Sequence, residues 1–328
     1  MGRELTRRES LPALIALATL PAVLTACGSG GAATTDASGI TTVKVGVMPI
    51  AALAPLYLGM RKGTFERHGI KLEPQVTQSG AAIVPAVLSG KQQFGFANPV
   101  TLMTAREKGL PIKIVAQASQ AGPGESQEFE GVIVAEDSPI REPADLAGKT
   151  VAVNALNNIG GLLISGALEK EGVDPASIEF MEIGFPEANA AVEAGRVDAA
   201  YQTEPFLYQA EQAGQRVVLH QYPVLGDRIT IANYFTGEQF AKQSPEVVEG
   251  FRAAVNESLE YATAHPDEVR RIVTTFTKIP KAAAEKMTLP GWSPDPDPKS
   301  NGLDLVGRLA ADAGLLKEQP DFGELIAS

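Results

Sequence analysis

One helix–strand–helix pattern, found in residues 184–206, constrains the fold of this chain more than any other stretch. Alanines favour a helix in its first half, and Gly195 is typical of a helix end. Val197 to Tyr201 has the apolar character of a short buried strand, and Pro205 suits the first turn of a second helix, where its missing N–H costs nothing. The pattern is typical of one unit of an α/β protein.

The same pattern occurs earlier in the chain, in residues 79–100. Gly90-Lys91 stands at the position of Gly195-Arg196. Asn98-Pro99 stands, with one residue of slack, at the position of Glu204-Pro205. Two copies of one unit predict two similar lobes. In each lobe the strand ends and helix N-termini are expected to point at a small ligand held between the lobes.

Strand and helix signals alternate along the rest of the chain, which predicts right-handed βαβ units. The expected fold is α/β, with two lobes that are each a mostly parallel sheet flanked by helices. Residues 119–131 are rich in Gly and Pro and are expected to cross between the lobes, and residues 228–236 are expected to form the strand that returns. One lobe is therefore expected at 41–130 plus 233–328, and the other at 131–232.

The N-terminus has the pattern of a targeting segment, because arginines precede an apolar stretch from Leu11 to Leu24. Leu24 to Cys27 resembles the bacterial lipobox. It predicts a signal peptide at 1–26, a lipid on Cys27 and a flexible tether over 27–40. An ordinary secretory signal with a chance cysteine is the alternative, and both the secretory and the twin-arginine export routes stay open.

The charge and the polar motifs exclude several classes of function. A net charge of −11 argues against nucleic acid as a partner, because phosphate binding needs a basic surface. A small anion stays possible, since a few backbone N–H groups can hold one. His68, His220 and His265 have no metal-ligand spacing, and neither a nucleophile elbow nor a phosphate-cradling glycine loop occurs. No metal, cofactor or catalytic residue is expected.

Several phrases, taken together and in order, resemble the substrate-binding proteins of bacterial ABC importers of the nitrate/sulfonate/taurine type. This family includes a branch similar to binders of thiamine-pyrimidine precursors. The resemblance runs from about residue 41 to about residue 275. The phrases that carry it are Pro55–Gly59, Gly63–Phe65, His68–Ile70, Ala86–Gly90, Asp145–Ala152, Ala194–Ala199 and Glu204-Pro205.

The resemblance implies a two-lobed periplasmic-binding-protein fold of type II and a receptor that delivers a small solute to an ABC permease and its ATPase. Nitrate, sulfonates, taurine and pyrimidines are all solutes of such proteins. It also implies a monomer held at the outer face of the membrane by the lipid on Cys27. The alternative is an enzyme of the same fold acting on a small aromatic or pyrimidine metabolite. The yeast-like pyrimidine synthases resemble this chain, but they depend on a cysteine-rich motif that it lacks.

The ligand is expected beyond the carboxyl ends of the parallel strands, where open α/β sheets bind small molecules. The candidate ligand-binding residues lie in the turns and strand ends that meet there. They are Pro49, Ile50, Ser79, Gly80, Asn98, Asn154, Asn157, Asn158, Gly160, Phe185, Tyr201, Glu204 and Tyr234.

Some of these residues have structural interpretations that compete with ligand binding. Asn98 is suited to cap the helix that Pro99 opens, and Asn157 or Asn158 to cap the helix after Gly160. Phe185 and Tyr234 have the character of packing residues. Glu204 either accepts hydrogen bonds from an amine, amidine or pyrimidine, or lies at a helix N-terminus, where a carboxylate contributes roughly 0.3–1 kcal/mol.

The lipobox predicts that Cys27→Ala releases the protein from the membrane fraction and leaves its fold intact, because the chain has no second cysteine. Cell fractionation and mass spectrometry of the N-terminal peptide are the measurements. A variant that stays in the membrane fraction, or a wild-type peptide without lipid, would contradict the prediction.

Overall fold

The computed structural model describes Met1 and residues 33–121, 128–226, 228–295, 297 and 301–327. Cys27, the predicted signal peptide beyond Met1, residues 27–32 of the predicted tether and residues 122–127 of the first predicted crossing lie outside the described residues.

Eleven strands form within the described residues. They are β1 Thr34–Thr35, β2 Thr41–Val47, β3 Ile70–Val76, β4 Phe94–Ala97, β5 Ile112–Ala121, β6 Glu130–Val134, β7 Thr150–Val153, β8 Glu179–Glu182, β9 Ala199–Thr203, β10 Arg216–Leu219 and β11 Ile229–Gly237.

The α-helices of the described part of the chain alternate with these strands and then dominate its last third. They are α1 Ala54–Arg61, α2 Thr64–Arg67, α3 Gly80–Leu88, α4 Pro99–Glu107, α5 Ile159–Lys170, α6 Phe185–Glu193, α7 Phe206–Gln212, α8 Gln221–Leu225, α9 Glu238–Gln243, α10 Pro245–Ala264, α11 Pro266–Phe276, α12 Lys281–Ala284, α13 Leu303–Asp312 and α14 Phe322–Leu325. Short 3₁₀ helices cover Ala51–Leu53, Pro143–Leu146 and Pro175–Ser177.

The first sheet has the strand order β1-β2-β4-β11-β5, with β3 also paired to β2. The pairs β2–β3 and β2–β4 are parallel, whereas β11 runs antiparallel to both β4 and β5. Strands β2, β3, β4 and β5 therefore share one direction, and β11 is reversed between two of them.

The second sheet repeats this plan with the order β10-β6-β9-β7-β8. Strand β7 is parallel to β8 and β9, whereas β6 is antiparallel to β9 and β10. Four strands again share one direction and one is reversed. The predicted α/β fold with two sheets flanked by helices is confirmed, and the reversed strand makes each sheet a mixed one. The lobe boundaries themselves stay predictions.

The two copies of the sequence pattern occupy equivalent places in the two sheets. Strand β4 lies between β2 and the reversed β11, and β9 lies between β7 and the reversed β6. Helices α3 and α6 precede these strands, and α4 and α7 follow them. The copies differ at the last helix, because α4 begins with Pro99 but α7 begins at Phe206, one residue after Pro205. The expectation that Pro205 lies in the first helical turn was therefore wrong by one residue.

Aromatic side chains fix the long helix α10 against the first sheet. Phe251 of α10 is fully buried and stacks on Phe94 of β4, with ring centroids 3.8 Å apart and planes 7° apart. The ring of Tyr234 on β11 meets Phe251 edge-on at 5.5 Å. Val248, Phe251, Val255 and Leu259 lie on one face at helical spacing, so this side of α10 belongs to the core.

Two features that would point to other classes of protein do not occur among the described residues. None of their helices combines the length and the apolar character that crossing a bilayer requires. Their His, Cys, Asp and Glu side chains form no group of three that could hold a metal ion.

Gly95 of β4 allows the close packing of two core side chains, so Gly95→Ala should destabilise the fold by about 2 kcal/mol. An added Cβ would lie 2.5 Å from Cε1 of the buried Phe235 and would also overlap Ile83. Denaturant unfolding measures the loss. Gly161→Ala is the control, since its Cβ would lie 3.7 Å from Phe180 and alanine favours the helix by up to ~1 kcal/mol. Equal losses in the two variants would contradict this packing.

Candidate ligand-binding site

A small cavity lies between the two sheets, at the edge where the parallel strands of each sheet end. Its volume is about 30 Å³, far below the roughly 300–1,000 Å³ of typical small-molecule sites. The lining residues come from both sheets and are Met48, Ile50, Ala52, Phe96, Asn98, Ser119, Glu130, Asn154, Ile159, Phe185, Tyr201, Ile231 and Ala232. An organic solute therefore requires the two walls to move apart before it can enter.

An outer pocket adjoins this inner cavity and shares Met48, Ile50 and Phe185 with it. The outer pocket has a volume of about 160 Å³. Its remaining lining is formed by Pro49, Val76, Thr77, Gln78, Pro186 and Phe206. Together the two spaces form a cleft whose shared wall of Met48, Ile50 and Phe185 is apolar. Its inner end carries the polar side chains of Asn98, Ser119, Glu130 and Asn154.

The structure brings some of the sequence-predicted residues to the cleft and places the others beside it. Ile50, Asn98, Asn154, Phe185 and Tyr201 line the inner cavity, and Pro49 lines the outer pocket. Ser79, Gly80, Asn157, Asn158, Gly160, Glu204 and Tyr234 line neither. A ligand-binding role stays a prediction for all of these residues.

Asn98 caps a helix and also lines the inner cavity. Its Oδ1 accepts the backbone N–H of Thr101 at 3.0 Å, and its Nδ2 donates to Thr101 Oγ1 at 2.9 Å. The side chain thus caps α4 and lines the inner cavity as well. This cap keeps the amide in one orientation toward the cavity.

The side chain of Asn158 caps the N-terminus of α5. Oδ1 of Asn158 accepts from the N–H groups of Gly160, at 3.1 Å, and Gly161, at 3.5 Å. Nδ2 of Asn158 donates to Oδ1 of Asn154 at 2.8 Å. Of the two interpretations of this turn, the structure has the helix cap, and the cap uses the N–H groups of Gly160 and Gly161. Asn154 is the residue of this turn that reaches the cavity.

Gly160 faces a tyrosine instead of the cavity. A Cβ at this position would lie 2.6 Å from Cδ1 of Tyr201. The glycine thus lets the buried Tyr201 ring approach the start of α5. A larger side chain at position 160 would displace the ring, so its effect on ligand binding would be indirect.

Three other predicted residues have packing or turn positions. Ser79 is the N-cap of α3, and its Oγ accepts from Ala82 N at 3.4 Å. Tyr234 is 1% exposed and packs edge-on against Phe96 at 5.7 Å. Asn157 has a φ of +52°, a left-handed conformation that Asn tolerates better than most residues.

Glu130 is the central polar residue of the cavity, and it is not among the residues predicted from the sequence. Glu130 is 4% exposed, and its Oε2 accepts hydrogen bonds from the hydroxyls of Tyr201 and Tyr222. Burial raises the pKa of Glu130 to about 8, although the Tyr201 hydrogen bond opposes the rise. The residues that line the inner cavity include no Lys, Arg or His, so none of them supplies a positive partner.

Ser119, near the end of β5, is the second polar residue that sequence reasoning missed. Its side chain is fully buried, and its Oγ has no hydrogen-bond partner among the residues that the structure describes. A buried hydroxyl without a partner is rare in native proteins, because leaving it unsatisfied costs free energy. Its position in the cavity lining makes it available to a ligand.

Glu204 lies beside the cavity and joins the two halves of the protein. Its backbone oxygen accepts from Ala51 N at 2.9 Å, and its Oε1 accepts from Thr288 N at 3.1 Å. Both donors belong to segments on the side of the first sheet. Oε2 accepts from Tyr208 N at 3.1 Å, within α7. Burial raises the pKa of Glu204 to about 8, although the two backbone N–H bonds oppose the rise.

Comparison with known proteins places this cleft in a family. The NMT1/THI5-like family model matches residues 51–269, which is most of the chain. The chain belongs to the NMT1/THI5-like family. The matched range includes both copies of the sequence pattern and every residue that lines the inner cavity except Met48 and Ile50.

Relatives within and around this family differ in what their names describe. The taurine-binding periplasmic protein of Escherichia coli is 27% identical over 69% of this chain and 68% of its own length. A 4-amino-5-hydroxymethyl-2-methylpyrimidine phosphate synthase of Saccharomyces cerevisiae is 23% identical over 65% of this chain and 64% of its own length. The alkanesulfonate-binding protein SsuA of Xanthomonas axonopodis pv. citri, solved with MOPS bound, has the same fold. It has a TM-score of 0.73 and 19% identity, and the match covers 88% of this chain and 96% of that protein.

In this member of the NMT1/THI5-like family, Glu130 and Glu204 should make the fold less stable as the pH rises. Their pKa values are about 8 in the folded state and 4.5 as free groups, so the folded state holds protons that the unfolded state has lost. This contribution is complete below about pH 4.5 and is lost as the pH rises to about 8. The loss is at most about 1.4 kcal/mol per pH unit for each carboxyl.

Denaturant unfolding from pH 5 to pH 8 tests this with the double variant Glu130→Gln/Glu204→Gln. The stability of the variant relative to wild type should increase with pH, because glutamine does not titrate. Glu169→Gln is the control, since Glu169 is exposed on α5. Parallel curves for wild type and the double variant would contradict the assignment.

Proposed function

We propose that this chain is the extracytoplasmic receptor of an ABC importer, which captures a small solute between its lobes and delivers it to a permease. The observation that carries the proposal is the inner cavity, because both sheets enclose it. Asn98 and Ile231 come from the side of the first sheet, and Glu130 and Asn154 from the second. A solute bound there contacts both lobes and favours their closed arrangement by hinge motion.

The family relationship supports the same function. The relative from Escherichia coli is named for taurine binding in the periplasm, and the fold is shared with a protein named for alkanesulfonate binding. The position of the receptor follows from the N-terminal pattern, in which Cys27 would carry a lipid at the outer face of the membrane. The partners of the receptor are then a permease and an ATPase, and it acts as a monomer that opens and closes.

Catalysis is the second candidate, because one relative is named as a pyrimidine phosphate synthase. We favour binding for two reasons. The chain has one cysteine, Cys27, which stands at the predicted processing site far from the cleft residues in sequence. The inner cavity is lined mostly by apolar side chains, with amides, one carboxyl, one hydroxyl and one phenol among them. Such a lining suits recognition of a solute.

A thermal-shift screen tests the proposed function with nitrate, taurine, alkanesulfonates, amines and aminopyrimidines. A solute that binds the native state at 100 times its Kd stabilises it by about 2.7 kcal/mol. At least one solute should raise the melting temperature with 1:1 saturation, and small-angle scattering should then show a smaller radius of gyration. Saturable binding without product on prolonged incubation is the expected result.

The variant Ser119→Ala tests whether that solute binds in the cleft. The hydroxyl has no partner among the described residues, so its loss should leave stability nearly unchanged and weaken binding of the solute at least threefold. Ser165→Ala on α5 is the control, since Ser165 lies outside the cleft. Release of product during the incubation, or equal affinity in both variants, would argue against a receptor that binds through this cavity.

A further inference from the structure

The carboxyl of Glu130, when ionised, has no cationic partner among the residues that line the cavity. Tyr201 and Tyr222 both donate to its Oε2, but a phenol hydroxyl carries no positive charge. A buried carboxylate is costly unless it is paired with a cation. Since the lining of the cavity holds no basic side chain, the missing charge is one that a solute would supply.

Ser119 lines the same inner cavity as Glu130 and offers a hydroxyl to a hydrogen-bonding group of the solute. Its Oγ is fully buried and lacks a partner among the described residues. A solute nitrogen with several N–H groups could donate to both the hydroxyl and the carboxyl. One cationic nitrogen group would thus satisfy two observations that packing alone leaves unexplained.

The wall that the inner cavity and the outer pocket share is apolar and suits an apolar group of the solute. Phe185 lines both the inner cavity and the outer pocket, and its ring stacks on that of Phe206 with centroids 6.4 Å apart and planes 15° apart. Met48 and Ile50 complete the shared wall. An aromatic or branched aliphatic group beside the nitrogen would lie against these side chains when the lobes close.

We propose that the cleft takes a solute with a cationic nitrogen group, an ammonium or amidinium, on an apolar and preferably aromatic body. Glu130 is the residue that recognises the nitrogen, and Ser119 accepts a second hydrogen bond from it. This inference rests on the proposed function, because it names the class of solute for the same site. It assigns to Glu130 the recognition that the sequence suggested for Glu204.

A bare anion is the solute that this geometry disfavours. It would face the carboxyl of Glu130, and no basic side chain lines the inner cavity to offset that contact. The N–H groups of Gly160 and Gly161, which would be the natural donors to an anion, are already bonded to Asn158. Binding an anion at these two N–H groups would therefore require breaking the cap of α5.

Three probes of one shape and different charge test the proposal: benzamidine (cation), benzamide (neutral) and benzoate (anion). Titration calorimetry and ligand-observed NMR on the whole protein measure their affinities. We expect benzamidine to bind at least tenfold more tightly than either of the others. Glu130→Gln keeps an oxygen that accepts from the two tyrosines, and it should reduce this preference to less than threefold. Glu169→Gln should retain the preference.

The pH dependence of wild-type binding provides a test that needs no variant. Glu130 must lose a proton to pair with a cation, so the affinity for benzamidine should rise from pH 6 to pH 8 while proton release falls. Calorimetry in two buffers of different ionisation enthalpy measures the release. The titratable groups that face Glu130 are Tyr201 on β9, Tyr222 on α8 and His220, whose Nδ1 lies 2.9 Å from the Glu130 carbonyl oxygen. Glu130→Gln keeps all three, so it separates their contribution from that of the carboxyl.

Failure of this inference and failure of the proposed function give different results. If benzoate or a sulfonate binds most tightly and still compacts the protein, the receptor function stands and the cationic solute is excluded. If no probe of the three binds while another uncharged or anionic solute does, the cationic solute is likewise excluded. If benzamidine binds with the expected preference but is converted to a product, the solute class stands and the receptor function falls.

Discussion

Glu204 accepts two hydrogen bonds that hold the wall of one sheet against the wall of the other. The shape of the cleft depends on these two bonds. The Glu204 backbone oxygen binds the N–H of Ala51, the residue after Ile50, which lines the cavity. Oε1 binds the N–H of Thr288, close in sequence to Gly291, which pairs with Gln120 of β5. One residue, through its backbone oxygen and its buried carboxyl, thus sets the position of two first-sheet segments relative to the end of β9.

The internal repeat conserves the backbone and changes the chemistry at its most important position. Asn98 and Glu204 both follow the strand beside the reversed one. Asn98 uses its amide to cap α4 and still lines the cavity, whereas Glu204 uses both carboxylate oxygens on backbone N–H groups. A neutral side chain suits the solute wall, because its hydrogen bonds are satisfied locally. A carboxylate suits the bridge, because its two oxygens can accept from two different segments.

The fold was largely predictable from the sequence, but the site was predictable only in part. Strand direction is the main reason for this difference. The strand from Phe94 to Ala97 and the equivalence of the two repeats followed from local pattern and turn residues, which short-range physics determines. The predicted site residues lie mostly at the carboxyl ends of strands, where local sequence pattern places a ligand. Glu130 begins the reversed strand β6 and pairs with Thr203 at the end of β9, so its amino-terminal end lies at the same edge. Strand direction depends on pairing between distant segments, and the local sequence around Glu130 does not reveal it. Asn158 illustrates a second limit, because one side chain decided whether the α5 N–H groups were free.

The exclusion of water on closure also determines which charge the cleft can hold. Electrostatic interactions strengthen as water is excluded, so the Glu130 carboxyl contributes little while the lobes are apart and strongly once they meet. Its raised pKa keeps it neutral in the closed protein, which avoids the cost of a bare buried charge. A cationic group shifts that balance by pairing with the ionised form, and the lobes then close on a neutral pair. A receptor built in this way would gain its selectivity from closure, because the wrong charge would bind weakly to the open form and oppose the approach of the second wall.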